Sequence, residues 1–366
     1  MATVDGITRR RFCASVASFA LLLPLAACGG PAAASPIASA PASSATSAPK
    51  DVVKVGAVLS ITDAAFYIGM AKGWYADAGI DLQLTNFANA AEEIAPLGQG
   101  QLDVGGGAPS SGMNNAVGRD IGIRIVADRG FVPSDSSAIA IMVRKDVAEK
   151  VKSFADLKGL KFAIPGGGAA LLVTVDRGMR SVGLTVKDLD LVNMPFADMV
   201  AAFAGGKVDA AAIVEPFATQ AAAKGLAEVF KRSNEFNPNN QSAVLLYGPK
   251  FVQDRPDVAR RFMTAYLRSI RLYNDAFFKQ PRNQAAYDEV VGILTKETTV
   301  KDPALYSQMQ MPTIHPDGKI QIQSLKDDQE WYLQNGYQKT RIDLETAVDT
   351  TYVDYAVKQL GGPYKP

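Results

Sequence analysis

The chain has 366 residues, of which 48% are hydrophobic and 20% charged, an ordinary globular composition with length enough for two lobes. Lys and Arg number 38 against 37 Asp and Glu, and this net charge of +1 excludes a general nucleic-acid binder, which needs clustered basic residues to neutralise phosphates. Two cysteines and one histidine leave no zinc signature, no Cys–His pair and little room for a Ser-His-Asp triad, so no metal site, cofactor or catalytic residue is expected.

In chain order, Arg9, Arg10 and Arg11 precede the short apolar run Phe19 to Leu25, interrupted by Pro24 and too short to span a bilayer. Residues 1–27 read as a signal peptide. Leu25-Ala26-Ala27-Cys28 resembles a lipobox, in which the cysteine is acylated and the chain is cut just before it. Thr8-Arg9-Arg10-Arg11-Phe12 resembles the twin-arginine export motif, but Cys13 stands where an apolar residue is preferred, so Sec export stays open. From Gly29 to Pro49 the chain is nearly all Ala, Ser, Pro and Gly, which cannot bury enough apolar surface to order itself; residues 28–50 are therefore a lipidated, flexible tether. Removal of Cys13 with the signal and acylation of Cys28 leave no free thiol in the mature protein.

The globular part begins with a strand, Val52 to Leu59, and Ser60 to Asp63 offer caps for a helix whose apolar stripe is Ala64, Tyr67, Ile68, Ala71 and Trp74, with Gly79 as its stop. A second strand, Ile80 to Leu84, a helix near 90–99, a third strand, Leu102 to Gly106, and a helix opened by Gly107 to Ser111 follow. Ile121 to Ala127 reads as strand and 128–136 as a polar loop. Ile139 to Arg144 carries the chain into a second lobe, which repeats the rhythm: a short helix capped by Ser153, the strand Lys161 to Ile164, Gly166-Gly167-Gly168 and a helix over 169–182. Next come the strand Asp190 to Met194, the helix Met199 to Ala204 and the strand Val208 to Val214, ending at Glu215-Pro216-Phe217. Ala243 to Tyr247 returns to the first lobe. Beyond Pro256 the pattern is helical, and its stripe Phe262, Tyr266, Ile270 and Tyr273 reads as core rather than as a ligand-stacking ladder. Alternation of strand and helix predicts α/β architecture with a doubly wound sheet in each lobe. The expected division is 51–140 for the first part of lobe 1, 141–240 for lobe 2, and 241–366 for the return to lobe 1 with a helical tail.

Several phrases carry a family likeness. Ala71-Lys72-Gly73-Trp74-Tyr75 with Gly79-Ile80-Asp81-Leu82, then Gln101 to Gly105, Phe154 to Gly159 with Lys161 to Ile164, and Asp209 to Pro216 occur in this order, and Gln329 to Tyr332 and Val348 to Val353 extend the pattern to the tail. In this the chain resembles the type II periplasmic solute-binding proteins of ABC importers, in the group that takes nitrate, sulfonates, taurine and thiamine-pyrimidine precursors. The resemblance implies two lobes with a ligand cleft between them, lobe closure on binding, a monomer, and partners that are a small-molecule solute, an importer permease with its ATPase, and the membrane through the lipid anchor. Phe66, Tyr67, Phe131, Phe196 and Phe217, expected around that cleft with few charged donors, favour a heteroaromatic vitamin or pyrimidine-type solute, or an organic sulfonate, ahead of nitrate or bicarbonate. The group also resembles fungal thiamine-pyrimidine synthases, enzymes that use histidine chemistry; here His315 sits in a turn-forming segment, 313–318.

Ligands of open α/β sheets sit beyond the carboxyl ends of the strands. That places Thr62, Asp63, Phe66, Tyr67, Gly107, Ala108, Pro109, Ser110, Ser111, Arg129 and Phe131 on one rim, and Gly166, Gly167, Gly168, Phe196, Glu215 and Phe217 on the other. The glycine segments would donate N–H groups to an anionic or carbonyl-rich end while the aromatics sandwich an apolar body. Bland alternatives stand beside these roles: a tight turn for Gly166 to Gly168, a hinge feature for Glu215, a solvated charge for Arg129 and a helix cap for Asp63.

Overall fold

The computed structural model describes residues 49–58, 60–166 and 170–365. The expected signal peptide, Cys28, nearly all of the expected tether, Gly167 and Gly168 lie outside the described residues. Strand β1 (Asp51–Ala57) leads through a 3-10 turn into helix α1 (Ala64–Ala71). The single helix expected here is broken: Gly73 takes φ of 71°, and a separate turn, α2 (Trp74–Asp77), follows before β2 (Ile80–Asn86). Next come α3 (Ile94–Gln99), the short β3 (Val104–Gly105), α4 (Ser111–Val117) and β4 (Arg124–Val132). The chain then supplies β5 (Ile139–Arg144), β6 (Lys161–Ile164), α5 (Ala170–Arg180), β7 (Asp190–Asn193), α6 (Phe196–Ala204), β8 (Ala210–Val214), α7 (Phe217–Ala223) and β9 (Ala227–Arg232). Finally β10 (Asn240–Tyr247) precedes α8 (Pro249–Asp254), α9 (Pro256–Phe277), α10 (Gln284–Glu297), α11 (Ile322–Gln334), α12 (Leu344–Ala347) and α13 (Thr351–Gln359).

Two five-stranded sheets result, in the orders β2-β1-β3-β10-β4 and β7-β6-β8-β5-β9. They share one plan. β1 pairs parallel with β2 and β3, as β6 does with β7 and β8, while β10 and β5 run antiparallel to both of their neighbours. Each sheet is thus mixed rather than wholly parallel, and the odd strand is the one that has just crossed from the other lobe.

β4 corrects one expectation: residues 128–132 are strand, not polar loop. The segment Asp128-Arg129-Gly130 has turn-like composition, yet β4 is buried along almost its whole length. Its polar groups find partners in the fold: Asp128 accepts from Gly130 N at 2.8 Å, Gln241 Nε2 at 2.5 Å and His315 N at 2.6 Å. The backbone of 313–318 completes this strut, with Phe131 N donating to Thr313 O and Asp128 N to Gly318 O, both at 2.9 Å.

The larger core lies around α9, whose Phe262, Tyr266, Ile270 and Tyr273 are fully buried against α1, α10 and α13. Each such side chain contributes about 1.5–3 kcal/mol of transfer free energy. The lobes are joined by residues 133–138 and 233–239, tied to each other by Ser137 Oγ and Ser233 Oγ at 2.7 Å and by Asn239 N donating to Val132 O at 2.7 Å.

Helix α11 adds a third connection. It packs on β10 and α4 of the first lobe and on α5 of the second, and its Trp331 and Tyr332 belong to the core of the second lobe. Trp331 Nε1 donates to Asp176 at 2.6 Å and Arg177 pairs with Asp328 at 2.9 Å. Burial raises the Asp328 carboxyl to about 7, and Arg177 opposes that rise. Trp331→Ala should therefore cost about 3–5 kcal/mol. Urea denaturation measures it, and a loss under about 1 kcal/mol would show that the tail does not support the second core.

Candidate functional site

Between the sheets lies a cavity of about 310 Å³, at the lower end of the range for small-molecule sites, roughly 300–1,000 Å³. Its walls are mostly apolar: Val58, Phe131, Val132, Ile139, Leu171, Phe196 and Val214, with Ala90, Ala91 and Ala243 between them. Hydroxyls and amides punctuate this lining at Ser60, Thr62, Ser110, Ser111, Thr174, Ser242, Asn89 and Asn240.

The floor on the first-lobe side is Arg129, only 1% exposed. A guanidinium at that depth requires a counter-ion. Asp63 supplies it, accepting from Arg129 Nη2 through Oδ1 and from Val58 N and Ser60 N, each at 3.1 Å, through Oδ2. The same carboxylate thus closes the capping box of the turn Ile61–Asp63 and ties the β1–α1 connection to β4. Gly106 makes this arrangement possible: a Cβ there would stand 2.9 Å from Arg129 Cζ and Nε. The expectation of a solvated charge is corrected, because β4 carries Arg129 into the interior where the described surroundings neutralise it.

Glu93 is buried beside this pair, with neither carboxyl oxygen hydrogen-bonded among the described residues. Gly56 leaves it space, since a Cβ at that position would sit 2.9 Å from the Glu93 carboxyl. Burial raises its pKa to about 8, an effect that Arg129 opposes and Asp63 reinforces.

On the second-lobe side Glu215 reaches the cavity from the end of β8. Its Oε2 accepts from Thr219 N at 2.9 Å and its Oε1 from Arg232 Nη1 at 3.1 Å. Arg232 also donates to Ser137 O at 3.1 Å, so Glu215 is tied to one of the crossings. Phe196 lines the cavity and stacks on Phe217 behind it, ring centroids 6.2 Å apart. A path of polar contacts joins the two faces: Asn237 donates to Thr174 at 2.9 Å and accepts from Arg177, which pairs with Asp328, which accepts from Asn240 at 3.4 Å.

Of the residues expected on the rims, Thr62, Ala108, Ser110, Ser111, Arg129, Phe131, Gly166, Phe196 and Glu215 line the cavity. Asp63, Tyr67, Gly107, Pro109 and Phe217 stand outside that lining, and Phe66 packs in the core at 5.8 Å from Tyr266. Pro109 has another place, its carbonyl accepting from Ala170 N at 3.1 Å at the start of α5. Sequence reasoning missed, among others, Ser60, Asn89, Ala90, Ala91, Leu171, Thr174, Ala138, Ile139, Asn240, Ser242 and Ala243. The last five lie on or beside the two antiparallel strands, which enter the cleft by their amino ends. Among the described residues no cluster of His, Cys, Asp and Glu is placed to hold a metal, and no helix is long and apolar enough to cross a membrane.

Residues 61–281 match the family described as NMT1/THI5 like, and the chain belongs to that family. A Brucella abortus protein named as a binding protein is 25% identical over 265 residues, covering 69% of this chain and 76% of its own length. An Escherichia coli protein named as an aliphatic sulfonates-binding protein is 33% identical over 108 residues, covering 30% of this chain and 33% of its own. Among solved structures, the alkanesulfonate-binding protein of Xanthomonas axonopodis bound to MOPS superposes with a TM-score of 0.67 at 17% identity, over 83% of this chain and all of that one. The nitrate-binding protein of Synechocystis PCC 6803 does so with a TM-score of 0.64 at 16% identity, over 85% of this chain and 89% of that one. At these identities the structural likeness establishes the fold: the α/β, two-sheet architecture of periplasmic solute-binding proteins.

Glu93 gives the site a measurable signature. A carboxyl with a folded pKa near 8 holds a proton that the unfolded chain has released, so stability falls as pH rises from about 4.5 to about 8 and levels off above. The slope is at most about 1.4 kcal/mol per pH unit. Urea denaturation at about pH 5, 7 and 9 should show wild type losing stability relative to Glu93→Gln over that window. A constant difference would mean that Glu93 is ionised throughout.

Proposed function

We propose that this NMT1/THI5-like protein is an exported solute trap, anchored to the membrane through a lipid on Cys28, that encloses a small organic solute between its lobes and delivers it to an ABC importer. The observation that carries the reading is the cavity itself: an apolar-walled space between two sheets, lined from both, with polar groups at a few points. Apolar walls with few, fixed polar groups are the form of a small-molecule site. The relatives named as binding proteins support a binding role, and Leu25 to Cys28 support the anchor.

The solute has an apolar or aromatic body that fits among Phe131, Phe196, Leu171 and Ile139, and a polar end at Arg129 and the hydroxyls of Ser60, Thr62, Ser110 and Ser242. Nitrate and bicarbonate suit such walls poorly, because neither has apolar surface to bury. Catalysis through histidine lacks support: His315 lies in the strut against β4, with Nδ1 accepting from Asp317 N at 3.1 Å, and is not among the cavity-lining residues.

A thermal-shift screen of vitamins, pyrimidines, sulfonates, aromatic acids and amides tests the trap. A solute at a hundred times its Kd should add about 2.7 kcal/mol. Phe196→Ala should weaken that solute by about 1.5–3 kcal/mol, roughly 10–150-fold in Kd, by isothermal titration calorimetry. No response to any member, combined with turnover of one of them, would overturn the reading. In cells, Cys28→Ala should release the protein from the membrane fraction; continued attachment would refute the anchor.

A further inference from the structure

We propose that the cavity selects a solute whose bound end carries no negative charge, a carbonyl-, amide- or sulfonyl-type acceptor on a largely apolar body, and discriminates against the corresponding anions. This deepens the solute-trap reading and rests on it.

The argument is one of charge and geometry. The charged side chains lining the cavity are Arg129 and Glu215. Neither has its charge to spare, since Arg129 is paired with Asp63 and Glu215 with Arg232. Glu93 adds a second carboxyl to the buried group around Arg129, so that with Glu215 and Arg232 on the opposite wall two guanidiniums meet three carboxyls at and immediately behind the walls. The neighbouring residues 167–169 are Gly, Gly and Ala, and bring no ionisable side chain. The first described amide of α5, Ala170 N, is already given to Pro109 O.

An anionic head entering this site would give up its hydration and meet a cation that a buried carboxylate has already neutralised, an exchange that costs several kcal/mol per ion. An uncharged acceptor faces no such penalty. What the walls offer it are neutral donors, the hydroxyls of Ser60, Thr62, Ser110 and Ser242. Such donors bond a neutral acceptor with no charge to desolvate or neutralise. Ionisation of Glu93 above about pH 8 makes the group more negative and sharpens the preference.

Matched pairs test this on the intact mature protein: nicotinate with nicotinamide, benzoate with benzamide, toluenesulfonate with toluenesulfonamide, titrated calorimetrically at neutral pH. The uncharged member of each bound pair should have a Kd at least about tenfold lower, a difference of about 1.4 kcal/mol. Asp63→Asn frees the Arg129 charge and should shrink or reverse that ratio; if this variant does not fold, the wild-type ratios alone decide. Anions that bind as tightly as their amides, or more tightly, overturn the inference and leave the solute trap standing. Binding by no member of any pair, with no response in the wider screen and turnover of one of its members, overturns both.

Discussion

The burial of one guanidinium organises the first lobe around its cavity. Arg129 sits on a strand that is enclosed on both faces, and a cation removed from water at that depth costs several kcal/mol unless it is paired and hydrogen-bonded. Asp63 meets that requirement, and in doing so it fixes the turn after β1, since its other oxygen holds Val58 N and Ser60 N. Gly106 must stay bare to let the guanidinium lie against its backbone, and Gly56 must stay bare to admit Glu93. Four chain segments are thereby placed relative to one another, and each contributes residues to the same cavity wall.

The second organising feature is the way the sheets exchange strands. Each receives its antiparallel member directly from a crossing, so the crossings are continuous with the sheet interiors and open onto the cavity at Ala138, Ile139, Asn240 and Ser242. Glu215 and Arg232 brace one crossing from below, and Asn237 in the other links Thr174 to Arg177. Residues that line the cavity are therefore within one or two contacts of the segments that join the lobes.

Much of the fold was legible because its signals are local. Alternation of β-branched runs with capped helical stripes places nearly every strand, and the stripe Phe262, Tyr266, Ile270 and Tyr273 is buried core, as its spacing implies. The site was legible in part, for a definable reason. The rule that ligands lie beyond the carboxyl ends of strands finds Thr62, Ala108, Ser110, Phe131, Phe196 and Glu215, which follow or end parallel strands. It is blind to antiparallel strands, whose amino ends face the same cleft, and so misses Ile139, Asn240 and Ser242. Arg129 was named, yet its environment was not, because the partners that allow it to be buried are 66 residues away at Asp63 and at a bare glycine whose meaning appears only when the chain is folded. The break at Gly73 was hidden by an apolar stripe that continues in register across it.

Trp331 carries a consequence for how the molecule is made. The second lobe is encoded by a continuous stretch ending near residue 232, so that on the ribosome it would emerge well before the carboxyl-terminal region, yet its core includes two side chains from a helix about a hundred residues further on. Until that helix has been synthesised and has docked, the lobe presents an unfilled apolar face and lacks the Trp331–Asp176 bond. Contacts so distant in sequence close late, since their loop entropy must be met first. The nascent chain is thus kept from completing either lobe before its carboxyl-terminal region is available.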